Sequence, residues 1–356
     1  MDLSAEPHPP RLAAGSMLSI AEYDRRQALA RVRASYPALR SFAPVSFAAV
    51  NFPTQVTQEA ELRRYADIMY ETIDREHWLR QVRWSPAEEK AILALRGEVE
   101  ALTGHLFERP VQPLMCLFPP LAMLRLVEAA AAMRGRRLRV VEIGPGSGFF
   151  GAYCLLQGHR YLGIDNTQAL YLWQHRLFRW IARDSLEDFA LADTPPAAYP
   201  ESRAALVPWW HFAEMYRSNG LKADIVVCDA AMGEMDPFAS RYIIRLSKEM
   251  LEQSDVGLFV YQNLGEQRQS DLAAIRQRFQ ARGYTEIPCG PVQVQAASGH
   301  SPVDWLRGLS SGAPPLGSAG GKPPEAMRPA AEFLRINPGM AMESYAFFDY
   351  LQLDRG

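Results

Sequence analysis

The sequence predicts an α/β fold: a parallel, doubly wound sheet preceded by a helical cap. Three observations carry this expectation. From residue 138 onward, short β-branched apolar runs alternate with helical stretches, the pattern of parallel strands joined by crossover helices. Before residue 138 the apolar spacing is helical and no chemical motif occurs. The chain has 356 residues, 48% of them hydrophobic and 22% charged, which is ample for a sizeable core and excludes disorder along the whole length.

In chain order, residues 1–16 read as a flexible leader, with Pro9, Pro10 and Gly15. Residues 17–115 read as the cap. A helix is expected over 20–36. Leu62, Tyr65, Ile68, Met69 and Ile73 recur at spacings of three and four, one face of an amphipathic helix across 59–79. Ser85 can cap the next helix, Pro86 suits its first turn, and Glu88 can reach back to the cap. That helix should run to about residue 102, with Gly104 ending it. Residues 116–356 read as the sheet domain. A helix from Pro119-Pro120 to Gly135 leads into it. Strands are expected at 138–143, 161–165, 204–207, 224–228 and 257–261. Two further strands, 283–288 and 345–353, have no helical pattern between them and fit a terminal antiparallel pair. Between them, 308–330 is rich in Gly, Pro and Ser and reads as a loop or lid.

Charge narrows the partners. With 38 basic and 40 acidic residues the formal charge is −2, so the chain lacks the basic field that drives nucleic-acid binding. Cys116, Cys154, Cys228 and Cys289 lie far apart among apolar residues, with no Cys-x-x-Cys pair, so buried reduced thiols are expected and no metal is assigned. No apolar run approaches the roughly 20 residues needed to span a bilayer, and the first residues lack the apolar core of a secretory signal. Cytoplasm is the expected compartment, with no membrane partner.

The chemistry concentrates at Glu142-Ile143-Gly144-Pro145-Gly146-Ser147-Gly148, between the first strand and a helix starting at Phe149. Glycines there let the backbone approach a ligand, and the following helix offers free N–H groups to it. Asp165 ends the next strand, placed for a ribose diol. The arrangement suits an adenosine-containing cofactor. Gly146, Gly148 and Gly151 also match Gly-x-Gly-x-x-Gly, which leaves a dinucleotide open, as it leaves open a tight turn with no ligand. Glu142, however, would repel a pyrophosphate and suit an ammonium or sulfonium.

Glu-x-Gly-x-Gly-x-Gly resembles motif I of the class I S-adenosylmethionine-dependent methyltransferases. The resemblance covers most of the chain from residue 138 onward. It implies a Rossmann-like sheet of seven strands, parallel with a terminal antiparallel strand. It implies that Glu142, Gly144, Gly146, Ser147 and Gly148 line the methionine part of the cofactor. Asp165, with Asn166 beside it, would hold the ribose. The loop after the third expected strand, Pro208-Trp209-Trp210-His211, would flank the adenine. It lacks the acid many relatives carry there; either Trp209 or Trp210 stacks on the ring in its place, or both tryptophans are core residues or pack under the lid. Asp229 and Ala230, ending the fourth strand, would meet the cofactor and acceptor.

The stretch Asp229-Ala230-Ala231-Met232-Gly233-Glu234-Met235-Asp236-Pro237 is similar to the segment after strand four in sugar O-methyltransferases. The acceptor this implies is a hydroxyl on a sugar or glycosylated small molecule. A hydroxyl acceptor needs a general base, and Glu234 and His211 are the candidates. An N- or O-methyltransferase of another natural-product scaffold and a non-catalytic cofactor-binding subunit are the rival readings. A homodimer through the helical N-terminal region is the expected assembly.

Overall fold

The computed structural model describes residues 17–42, 53–68, 86–118, 120–217, 220–229, 231–232, 235–261, 269–289 and 292–297. At its centre is an eight-stranded sheet in the order β3-β4-β2-β1-β5-β6-β8-β7. The strands are β1 (Arg139–Ile143), β2 (Arg160–Asp165), β3 (Leu186–Asp188), β4 (Ala204–Pro208), β5 (Ile225–Cys228), β6 (Leu258–Tyr261), β7 (Thr285–Cys289) and β8 (Val292–Ala296). Neighbours pair in parallel from β3 to β6, and β8 runs antiparallel to both β6 and β7.

A mostly parallel sheet closed by an antiparallel strand is therefore present, with two corrections. The described residues hold eight strands rather than seven, because β3 adds a three-residue edge strand beside β4. Its Leu-Glu-Asp sequence has no period to read. β7 pairs antiparallel with β8, two residues further along the chain, a strand not expected from the sequence. The expected strand 345–353, the loop at 308–330 and the leader at 1–16 lie outside the described residues.

Among the described residues the α-helices of seven or more residues are α1 (Ile20–Arg33), α2 (Tyr36–Phe42), α3 (Pro86–Phe107), α4 (Pro120–Arg134), α5 (Phe149–Leu156), α6 (Gln168–Ala182), α7 (Pro237–Leu251) and α8 (Gln269–Gln280). The chain steps from β1 to β2 in one direction and from β5 to β6 in the other. Right-handed crossovers then place α5 and α7 on opposite faces of the sheet. With both faces covered, every residue of β4, β5 and β6 is buried, as central parallel strands require.

The N-terminal elements depart from their expected form. Residues 59–66 are a 3-10 run rather than the start of an α-helix. Glu61 accepts hydrogen bonds from Thr57 and Gln58 N–H, which satisfies the first turn, and Leu62 and Tyr65 eclipse at the three-residue spacing and are both fully buried. Gly104 does not end α3. The helix continues to Phe107, and Glu108, at φ 56°, turns the chain. Ser85, the expected cap, lies outside the described residues, and Glu88 has a further role. Its carboxylate is buried and accepts from Arg125 Nε at 2.7 Å, tying α3 to α4. Removing one partner of such a buried pair costs about 3–5 kcal/mol.

His159 and His175 are buried. Leu138 N–H donates to His159 Nδ1, so His159 Nε2 carries the proton and donates to Glu128. Leu18 N–H donates to His175 Nε2 at 3.1 Å, so the His175 proton sits on Nδ1 and goes to Asp188 at 2.6 Å. Tyr171 O–H donates to the other Asp188 oxygen at 2.5 Å. Burial lowers the His175 pKa further and keeps the ring neutral. This network fastens the chain before α1 to α6. A second fastening is Gln168, which donates to Val56 O and accepts from Val56 N–H. One buried apolar cluster accordingly spans Leu18 to Ala297. At the sheet end away from the glycine turn, Asp224 accepts from Arg136, Arg139 and Ser254.

Cys116, Cys154 and Cys228 are buried and unbridged. No described helix is long and apolar enough to cross a membrane.

Candidate functional site

The site lies at the carboxyl ends of β1, β2, β4 and β5, where the chain switches from one side of β1 to the other. That crevice is where doubly wound sheets bind ligands. Gly144, Gly146 and Gly148 take φ of 75°, 57° and 75°, the left-handed region that side chains disfavour. The turn is pinned on three sides. Gly144 N–H donates to Ile164 O at 2.9 Å. Trp173 Nε1 donates to Ser147 O, and Gln174 Nε2 donates to Gly146 O at 2.8 Å, both from α6. A Cβ on Gly144 would lie 3.1 Å from Ala231, so the loop after β5 closes against the turn after β1.

Glu142 and Asp165 are each 3% exposed, and their hydrogen-bond partners are neutral. Tyr161 O–H donates to Glu142 Oε2 at 2.5 Å. Asp165 accepts from Thr167 N–H at 2.8 Å and from Gln174 Nε2 at 2.7 Å. Burial pushes Glu142 up to about 8; the Tyr161 bond opposes this, while Asp229 and Asp165 add to it. Burial likewise raises Asp165 to about 6 against the bonds from Thr167 and Gln174. Two buried acids, held by neutral groups with a third acid in range, are costly unless a cation joins them.

Room for this pair is built into the glycines. Glu142 stands beside Gly163 in register. A Cβ on Gly163 would lie 3.0 Å from the Tyr161 hydroxyl, and one on Gly151 of α5 would lie 2.3 Å from the Tyr161 ring.

The other expected residues are placed as follows. Asn166 is half-buried, and its side-chain oxygen accepts from Thr167 O–H at 3.2 Å. Trp209 and Trp210 open the helical turn Trp209–Phe212 after β4, perpendicular at 5.9 Å. Trp210 meets the Tyr23 ring of α1 edge-on at 5.2 Å. His211 is buried, with Nε2 at 3.1 Å from Ala192 O, and burial lowers its pKa. Asp229 is half-buried just past β5, in the field of Glu142. Ala230 and Glu234 lie outside the described residues. Asp236 caps α7 by accepting from Phe238 N–H at 2.7 Å.

Tyr161, Thr167 and Gln174 belong to the site and were not expected from the sequence. Tyr161 had one readable signal: it shares a strand face with Gly163, two residues on. Gln174 had none, since only packing shows which face of α6 meets the turn. Among the described residues no group of three His, Cys, Asp or Glu side chains is arranged to hold a metal.

No family model matches the chain, and no curated protein does. Among solved structures, the bifunctional kinase-methyltransferase WbdD shares 12% identity over 58% of this chain and 46% of that one, with a TM-score of 0.36. A TehB-like SAM-dependent methyltransferase from Corynebacterium glutamicum shares 16% over 60% of this chain and 99% of that one, TM-score 0.34. A precorrin-6y C5,15-methyltransferase from Geobacter metallireducens shares 16% over 49% and 86%, TM-score 0.33. The chain spans less than half of WbdD. Likeness this distant says nothing of activity.

Proposed function

We propose that the chain is an S-adenosylmethionine-dependent methyltransferase acting on a hydroxyl of a sugar or glycosylated small molecule. One observation carries the cofactor: the buried acids Glu142 and Asp165 flank a turn of three left-handed glycines and have only neutral hydrogen-bond partners. A ligand with a cationic end and a ribose diol matches that donor set. A dinucleotide does not, because its pyrophosphate would face Glu142.

When bound, S-adenosylmethionine supplies a methyl group activated by its sulfonium. The chain's own residues do the rest. Glu142 offers negative charge to the cationic end. Asp165, oriented by Gln174, accepts from the ribose hydroxyls. The glycine turn brings backbone N–H groups close, and Asp229 borders the crevice where an acceptor would approach. Holding the acceptor in line is worth much of the acceleration.

The sugar acceptor rests on the sequence of the segment after β5, and with it the role of Glu234. Since His211 is tied to the Ala192 carbonyl, we assign the base to Glu234 and an orienting role to His211. The test is transfer of labelled methyl to an acceptor panel beginning with sugars. Glu234→Gln should cut turnover by about 100-fold or more and leave cofactor affinity within about twofold, the spread expected when a group does not touch the ligand. Methylation of amines alone would favour the rival scaffold reading. Cofactor binding without transfer to any acceptor would favour a partner subunit.

A further inference from the structure

We propose that α1 forms part of the cofactor site and that Tyr23, Gln27 and Trp209 donate hydrogen bonds to the ligand's heteroaromatic base. This rests on the cofactor reading above and extends it to the adenine, for which the sequence offers no acid.

The first observation is a set of buried donors without partners. Tyr23 Oη, Gln27 Nε2 and Trp209 Nε1 all lack a hydrogen-bond partner, and their residues are 0%, 4% and 1% exposed. Buried polar atoms are nearly always satisfied, so unsatisfied ones mark a missing ligand or water. Each of the three can donate. They call for a ligand rich in acceptors, and the unprotonated ring nitrogens of a purine are such acceptors.

The second observation is position. Tyr23 packs between Tyr171 of α6 at 5.1 Å and Trp210 at 5.2 Å. Its hydroxyl lies in the field of Asp165 and Asp188. Gln27 is one helical turn on, on the same face of α1. Pro208 pairs with Asp165 in the sheet, so Trp209 starts one residue past the neighbour of the ribose acid. The helix is fastened there by its own contacts. Asp24 accepts from Gln168 Nε2 at 2.9 Å, and Arg26 donates to Ala192 O at 3.2 Å. It thus bridges α6 and the connection between β3 and β4, while Tyr23 meets Trp210 in the turn after β4.

A donor waiting for a ligand gives an unusual pair of signs. Tyr23→Phe removes an unsatisfied buried hydroxyl, so the ligand-free protein should melt at the same temperature or higher. The same change should weaken binding of S-adenosylhomocysteine by about five- to tenfold, the worth of one hydrogen bond. Gln27→Leu should behave alike. Adenosine alone should compete in the wild type and less well in both variants. A hydroxyl held by buried water predicts the reverse: a lower melting temperature and unchanged affinity. That result, in calorimetric titration and thermal melts of the full chain, overturns the assignment of α1. A wild type that binds neither S-adenosylmethionine nor S-adenosylhomocysteine overturns the cofactor reading itself.

Discussion

Asp165→Ala is expected to weaken S-adenosylmethionine binding by about 100-fold or more, since a carboxylate holding a diol makes two charge-assisted hydrogen bonds of roughly 1.5–3 kcal/mol each. The reason lies in how Asp165 is built in. It ends β2, is buried, and is oriented by Thr167 N–H and by Gln174, which also grips Gly146 O. One side chain therefore couples Asp165 to the glycine turn. Glu142→Ala should have an effect of similar size at the other end of the ligand. Neither change should unfold the protein, because each removes a buried acid whose charge burial disfavours. Unchanged affinity in both variants would sink the site.

Gly151→Ala is the second large effect, and it acts on folding. Alanine gains up to about 1 kcal/mol in a helix. Against this, its Cβ would sit 2.3 Å from the Tyr161 ring. The ring cannot retreat easily. It packs against Phe178 at 5.1 Å, and its hydroxyl is fixed to Glu142. Overpacking costs about 1–3 kcal/mol, and leaving the Glu142 carboxyl without its donor costs another 1–3 kcal/mol or so. The clash wins by about 3 kcal/mol, which should lower the melting temperature by roughly 6–12 °C. A melt within a degree or two of wild type would mean that α5 and β2 are not in this contact.

These two residues also show what the sequence could reveal. The glycine turn, Asp165 and the strands β1, β2, β4, β5, β6 and β7 were legible, because chain-local rules govern them: strand, left-handed turn, helix, strand. Gly151 was legible only as the last member of a Gly-x-Gly-x-x-Gly pattern. Its reason, the Tyr161 ring, is a contact between α5 and β2 that no spacing encodes. The same holds for Gln174, and for His159 and His175. Each histidine is buried because a backbone N–H and a carboxylate meet its two nitrogens from distant segments. β3 was too short to carry a period. The 3-10 run at 59–66 shares its spacing of three and four with an α-helix, so periodicity could not separate them.

The most direct test of the central claim is calorimetric titration with S-adenosylmethionine across pH, with NADH in parallel. Glu142 is raised from the usual carboxyl range to about 8 in the ligand-free fold, so it is largely protonated near neutrality. Its contribution to folding is thus present at low pH and lost as pH climbs toward 8. A cationic ligand favours the ionised form and must displace that proton. Affinity should therefore rise with pH from about 6, by up to tenfold per unit, and level off above about 8. NADH should not bind. No binding of S-adenosylmethionine at any pH, or binding of NADH in its place, would contradict the account.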